Sequence, residues 1–341
     1  MSRTKDTITT RLLILSDTHA LPIPPLPPGP FDVLIHCGDL TRTSLLAEYK
    51  TTLALLESVP ARLKLVIAGN HDFALDPLAS RRIMALAILN RIGDGEAVIR
   101  EYWRFSAVEK MFDAASASGI KLLREGTHGF ELSNGAKLTV YASPFTASKS
   151  AVWGFQYVRR PLTTSPDGHP NDGHTWAIPE GVDIAITHSP PYGIFDLTYY
   201  AKSRGSRGLL SAVEKARPKI HCFGHIHEGW GAKLVTWRDD AAALPRVEGR
   251  IPSQTTETAG SESEVVMSLA TLRPRNVDGE KVVSDQELKL TACREMGACE
   301  IDLGDDTEHR TLFVNASIQG HGDDEDAFHL PWVVNVQLPR A

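Results

Sequence analysis

Six short apolar runs, each followed at once by a polar tip, constrain this chain more than any other feature. The run at 12–15 leads into Ser16-Asp17-Thr18-His19, Val33-Leu34-Ile35 into His36-Cys37-Gly38-Asp39, and the run at 63–68 into Gly69-Asn70-His71-Asp72. The run at 138–141 leads into Ala142-Ser143-Pro144, Ile184-Ala185-Ile186 into Thr187-His188, and the run at 220–223 into Gly224-His225-Ile226-His227. Apolar runs this short, rich in β-branched residues and bounded by Gly and Pro, read as buried strands. Helical patterns fall between them. Leu45, Leu46, Tyr49, Leu53 and Leu56 recur at helical spacing across 44–58, with Pro60 past the end. The stretch 106–118 is closed by Gly119, and 206–217 by Pro218. Strands alternating with helices predict an α/β fold whose sheet is covered on both faces. Ligands of such sheets gather beyond the carboxyl ends of the strands, where the polar tips stand.

The 341 residues suffice for one large domain or two ordinary ones, and the pattern is read as a single domain over 1–341. Residues 22–30 are proline-rich and form a loop between the first two strands. Residues 239–284 are rich in Ser, Thr, Glu and Gly and read as a mobile insertion. Order returns at 300–303, a last core strand is expected at 311–317, and 333–338 is expected to add an edge strand. A net charge of -6 disfavours a general nucleic-acid binder, which carries a basic face. Of the four cysteines, Cys37 and Cys222 lie in strand-like runs and read as buried, while Cys293 and Cys299 are close enough to pair. No disulfide framework emerges, which favours a reducing compartment, and the expected location is cytoplasmic. The run at 12–15 is too short for a signal-peptide core, and no stretch is long and apolar enough to cross a bilayer. Oligomeric state is not legible.

The tips supply Asp17, His19, Asp39, Asn70, His188, His225 and His227, a set of carboxylate, amide and imidazole donors. Such donors suit Mn, Fe, Zn or Mg, whereas a softer metal would want thiolates. Residues i and i+2 of an extended tip point the same way, so Asp17 pairs with His19, and His225 with His227. Seven donors exceed the three or four that one zinc takes and suit two divalent ions with Asp39 between them. Two carboxylates leave such a site with excess positive charge, which attracts an anionic phosphate ester. Two ions roughly 3.5–4 Å apart bind phosphoryl oxygens and activate a bridging water. His71 is left over as proton donor to the leaving oxygen or as a hydrogen-bond donor to the transition state. Asp72 is expected to orient His71 or a ligand.

These residues match a known pattern. D-x-H, G-D, G-N-H-D, H and G-H-x-H, in this order, resemble the calcineurin-like metallophosphoesterases, and the likeness covers roughly 12–230 plus the strand near 313–317. The resemblance implies a four-layer αββα sandwich. It implies that Asp17, His19, Asp39 and His227 hold one metal and that Asp39, Asn70, His188 and His225 hold the other. His71 would then be the catalytic histidine, with Asp72 beside it in the orienting role read from the residues. A narrower likeness lies in Thr187-His188-Ser189-Pro190-Pro191-Tyr192-Gly193-Ile194-Phe195-Asp196, in 217–231, and in Trp153-Gly154-Phe155-Gln156. These segments resemble the metallophosphoesterase-domain-containing branch, which is similar to class III cyclic-nucleotide phosphodiesterases. The implied function is hydrolysis of small phosphodiesters such as cyclic nucleotides, through in-line attack by a metal-bridging hydroxide. A phosphomonoesterase or protein phosphatase uses the same ligands, a nuclease is disfavoured by charge, and a metal-retaining scaffold is the alternative outside enzymes.

Bland readings stand beside some of these residues. His36 and His221 lie within strands and read as core histidines. Trp153, Phe155 and Tyr192 either stack a base or pack their loops. Lys202, Arg204 and Arg207 read as a solvated loop, and Asp323-Asp324-Glu325-Asp326 as a solvated acidic run.

Overall fold

The structure, a computed structural model, describes residues 6–89, 105–149, 152–237, 263–269, 275–277, 280–282, 285–304, 309–320 and 328–341. Two sheets carry the fold. The first contains β1 (Thr7–Leu15), β2 (Phe31–His36), β3 (Ala61–Val66), β4 (Ile120–Leu122), β17 (Cys299–Asp302) and β19 (Trp332–Pro339), in the order β17-β19-β1-β2-β3-β4. The second contains β5 (Gly126–Glu131), β6 (Lys137–Ser143), β11 (Ile184–Thr187), β12 (Ile220–Phe223), β13 (Gly231–Thr236), β14 (Glu264–Ser268) and β18 (Arg310–Asn315). Its order is β14-β13-β18-β12-β11-β6-β5. In the first sheet β1 to β4 are parallel and β19 and β17 run against them on one side, while in the second the parallel strands β18, β12, β11 and β6 have antiparallel neighbours on both sides.

Side-chain alternation divides the core into three parts. Leu12 and Ile14 of β1, Val33 and Ile35 of β2, and Ile184, Ile186, Leu312 and Val314 of the second sheet pack between the sheets. Leu13, Leu15 and Leu34 face the other way, against α1 (Leu46–Ser58) and a later helix (Phe105–Ala115). Ala185, Phe223 and Phe313 face outward beneath the helix Arg207–Ala216. Helix, sheet, sheet and helix are therefore four layers, and the expected αββα sandwich is what forms. The sequence explains the helix ends. Ser206 accepts from the Leu209 amide as N-cap of the helix Arg207–Ala216, and Arg217 ends the same helix in a left-handed conformation before Pro218.

Two expectations change. The strand expected at the edge over 333–338 is internal, bonded to β1 on one side and β17 on the other. Its Trp332, Val334, Val336 and Leu338 fill the inter-sheet core while Val333 packs on the opposite face, as a two-sided apolar strand must. Most of the mobile insertion expected over 239–284 lies outside the described residues. The part that is described includes β14, which pairs with β13 and buries Met267, so 264–268 belongs to the sheet. A strand outside the expected set, β5, has no apolar run, since only alternate residues are half-buried.

Seven strands, β1, β2, β3, β6, β11, β12 and β18, end on one side of this double layer. A bridge between Ser16 and Ser317 ties the two sheets together there. Among the described residues, no helix is long and apolar enough to cross a membrane.

Candidate metal centre

At that rim the seven expected donors converge. Asp17, His19 and His227 form one group whose ligand atoms lie within 4.8 Å of one another, and Asp39, His188 and His225 form another. His19, Asp39 and His71 form a third, which overlaps the first through His19 and the second through Asp39. Asn70 joins the second group, its Oδ1 3.2 Å from His188 Nε2. Asp39 Oδ2 stands 3.2 Å from His188 Nε2 and 3.7 Å from His19 Nε2, so this carboxylate is central. Asp17 Oδ1 is 3.4 Å from His227 Nε2.

The backbone is bent to allow this. Asp17, His19, Asp39 and His225 all have left-handed φ values, 54°, 48°, 53° and 70°. Each such residue costs on the order of 1 kcal/mol and persists where its surroundings over-determine it. Two glycines admit the close approach. A Cβ on Gly69 would lie 2.3 Å from Asp39 Oδ1 and 2.7 Å from His188 Nε2, and one on Gly224 would lie 2.1 Å from Asp17 Oδ2.

Hydrogen bonds fix the ring orientations. His19 Nδ1 donates to the Thr41 carbonyl, His188 Nδ1 to the Cys37 carbonyl, and His71 Nδ1 to the Arg42 carbonyl. A carbonyl only accepts, so each Nδ1 carries hydrogen and Nε2 is the nitrogen left for the site. Nε2 of His19 is buried without a hydrogen-bond partner. An imidazole lone pair buried beside two carboxylates, with nothing to receive it, fits a divalent cation.

The electrostatics of the metal-free site agree. Burial raises the Asp17 carboxyl, but hydrogen bonding and charge from His227 outweigh it and hold Asp17 below the usual carboxylate range. Burial likewise raises Asp39, and His188 reverses it. Burial lowers His188, yet the Asp39 carboxylate lifts it to about 9. Burial leaves His225 near 3, a neutral ligand. The proton on His188 stands where a cation would bind, so metal uptake releases it.

Asp72 does not touch the His71 side chain. It is buried, and its two oxygens accept from the amides of Leu40, Thr41 and Gly69 and from Thr41 Oγ1. It therefore clamps the loop after Asp39, whose Thr41 and Arg42 carbonyls hold His19 and His71. Glu48 secures the same loop from α1 by accepting from the Thr43 and Leu45 amides. Of the three aromatics read as stacking candidates, Trp153 alone meets a residue of the site, with its ring centroid 4.7 Å from that of His71. Phe155 packs edge-on against Phe145, and Tyr192 lies under the Arg207 guanidinium.

Sequence reading missed two residues at the end of β18. Ser317 Oγ donates to Asp17 Oδ2 at 2.8 Å, and Asn315 Nδ2 donates to the Ile226 carbonyl at 2.8 Å, between His225 and His227. The signal was present, since Asn315-Ala316-Ser317 is one more polar tip after an apolar run. Ser317→Ala should weaken metal binding about 10-fold by loosening Asp17. Calorimetric titration of stripped protein with Mn checks this, and unchanged affinity would reduce Ser317 to packing.

Residues 10–229 match the Calcineurin-like phosphoesterase family. The chain belongs to that family. Members of this phosphoesterase family use two divalent ions, and the donor groups above meet that requirement. Over 231 residues the chain is 34% identical to human metallophosphoesterase domain-containing protein 1, a match that covers 65% of this chain and 62% of the relative. It is also 32% identical over 229 residues to a probable rhamnogalacturonate lyase C of Emericella nidulans, covering 67% of this chain and 18% of that one. The chain thus spans under two thirds of either relative.

Beneath the centre lie the two strand histidines, both fully buried. His36 Nε2 meets Thr18 Oγ1 at 3.0 Å and His221 Nε2 meets Thr187 Oγ1 at 2.8 Å, each threonine being next to a metal-ligand position. Burial pushes both rings to about 3, from 6.5 for a free imidazole. The unfolded rings take up protons below about 6.5 and the folded ones do not, so stability is full above that pH and falls toward pH 3. By pH 5 each ring should cost roughly 2 kcal/mol. Melts of the metal-free protein at pH 7.5 and 5 test this. His221→Gln should flatten the decline, whereas an unaltered slope would place its origin elsewhere.

Proposed function

We propose that the chain is a dinuclear-metal phosphohydrolase acting on small phosphodiesters such as cyclic nucleotides. The observation that carries the reading is the overlap of the three donor groups through His19 and Asp39. Asp17, His19, Asp39 and His227 would hold one ion, and Asp39, Asn70, His188 and His225 the other. Bound there, Mn, Fe, Zn or Mg ions would neutralise the phosphate and activate water. The four thiols, free and buried, favour a reducing compartment such as the cytoplasm.

The protein's own groups supply orientation and a proton. The Asp39 carboxylate receives the His71 amide on Oδ1 at 2.9 Å, which sets the His71 loop against the centre. With Nδ1 committed to Arg42, a doubly protonated His71 gives its Nε2 proton to the leaving oxygen and ends as the neutral Nδ1–H tautomer. Asp72 acts through the loop it clamps, as a positioning residue.

Diester preference rests on the motif likeness around 187–196 and 217–231. A kinetic panel of cyclic nucleotides, linear diesters and monoesters, run with each of the four metals, tests it. The diesters should have the higher kcat/KM. Monoesters cleaved about 100-fold faster would make the protein a phosphomonoesterase.

A further inference from the structure

Trp153 is an exposed aromatic residue held in a fixed place. The residue is 39% exposed. One side meets the His71 ring at 4.7 Å with a 38° tilt, and another meets Phe73 at 6.0 Å. Its backbone is anchored on both sides. The Trp153 amide donates to Gln156 Oε1 at 3.0 Å, the Trp153 carbonyl accepts from Arg82, and the Gly154 amide donates to the Asn70 carbonyl at 3.0 Å. A Cβ on Gly154 would lie 2.8 Å from Phe73 Cα, so this loop is seated directly on the Gly69–Asp72 turn. A single exposed aromatic ring is ordinary on a protein surface, but here hydrogen bonds on both sides of the residue fix the ring against His71.

The position decides the use. His71 hands its proton to the leaving oxygen, and Trp153 is the ring next to His71. Whatever group the leaving oxygen carries emerges beside the indole. We propose that Trp153 is a specificity-determining platform that selects esters whose leaving alcohol bears a planar aromatic group. This rests on the phosphohydrolase reading and deepens it. A fixed indole loses little side-chain freedom when a ring stacks on it, which makes it an efficient recognition element. The planar group has two chemical sources. An aryl ester places its ring one bond from the ester oxygen, and a nucleoside places its base a sugar away.

Binding to the Mn-loaded protein, measured by calorimetry, tests the platform without turnover. Two ligand pairs separate the sources: phenylphosphonate against methylphosphonate, and adenosine 5′-monophosphate against ribose 5-phosphate. In at least one pair the aromatic member should bind about tenfold tighter. Trp153→Ala should bring that ratio near one while leaving the non-aromatic partner within about twofold, and Trp153→Phe should keep most of the ratio. Equal binding within both pairs, or a ratio that Trp153→Ala leaves intact, overturns the platform and leaves the phosphohydrolase reading standing. If no phosphate or phosphonate binds, both fall.

Discussion

Asp39→Ala should abolish turnover, with kcat/KM falling about 10³-fold or more and the protein losing bound divalent metal. Asp39 is the one side chain shared between donor groups that meets His19 and His188 together. Its other oxygen fixes the His71 backbone. Truncation therefore removes a ligand from both proposed metal positions and releases the proton donor. In the metal-free protein it also takes from the buried His188 ring the carboxylate that raises its proton affinity. The charge stabilisation that a metal site lends a transition state is on the order of several kcal/mol, and each decade of rate is worth about 1.4 kcal/mol. Steady-state kinetics and metal analysis on one preparation check both halves. Turnover equal to the parent would mean that the measured activity came from a contaminant.

His71→Ala should behave differently. Loss of a general acid costs about 10²–10⁴-fold for alkoxide leaving groups and much less for p-nitrophenolate, which departs unaided. The two metals should remain, because the seven proposed ligands are untouched. The third donor group, His19 with Asp39 and His71, makes this a real test. If the variant loses metal along with activity for every leaving group, His71 is a ligand and the acid must be sought elsewhere.

The fold was legible where local patterning carries it. Leu12, Ile14 and their counterparts announce buried strands, and Ser206 and Pro218 mark helix ends, because these signals depend on neighbours in sequence. The place of β19 was not legible. Whether an apolar strand is internal or an edge depends on β17 arriving beside it, which its own residues do not encode. The convergence of the seven donors was legible because each sits at a strand end, and sheet topology brings strand ends together. The supporting contacts were less so. Ser317 meets Asp17 across 300 residues of sequence. Asp72 reads as a partner of its neighbour His71, yet it binds the loop at 40–41, since the turn at Gly69 aims the two side chains apart. Trp153 was left between stacking and packing, and its contact with His71 is what gives it a place in the site.

Everything proposed for the site depends on two ions sharing Asp39. Anomalous diffraction from Mn-soaked crystals, with metal content measured on the same protein, tests it most directly. Two Mn ions per chain are expected, roughly 3.5–4 Å apart, with Asp39 touching both and His71 touching neither. A single ion, or two ions without Asp39 between them, would contradict it.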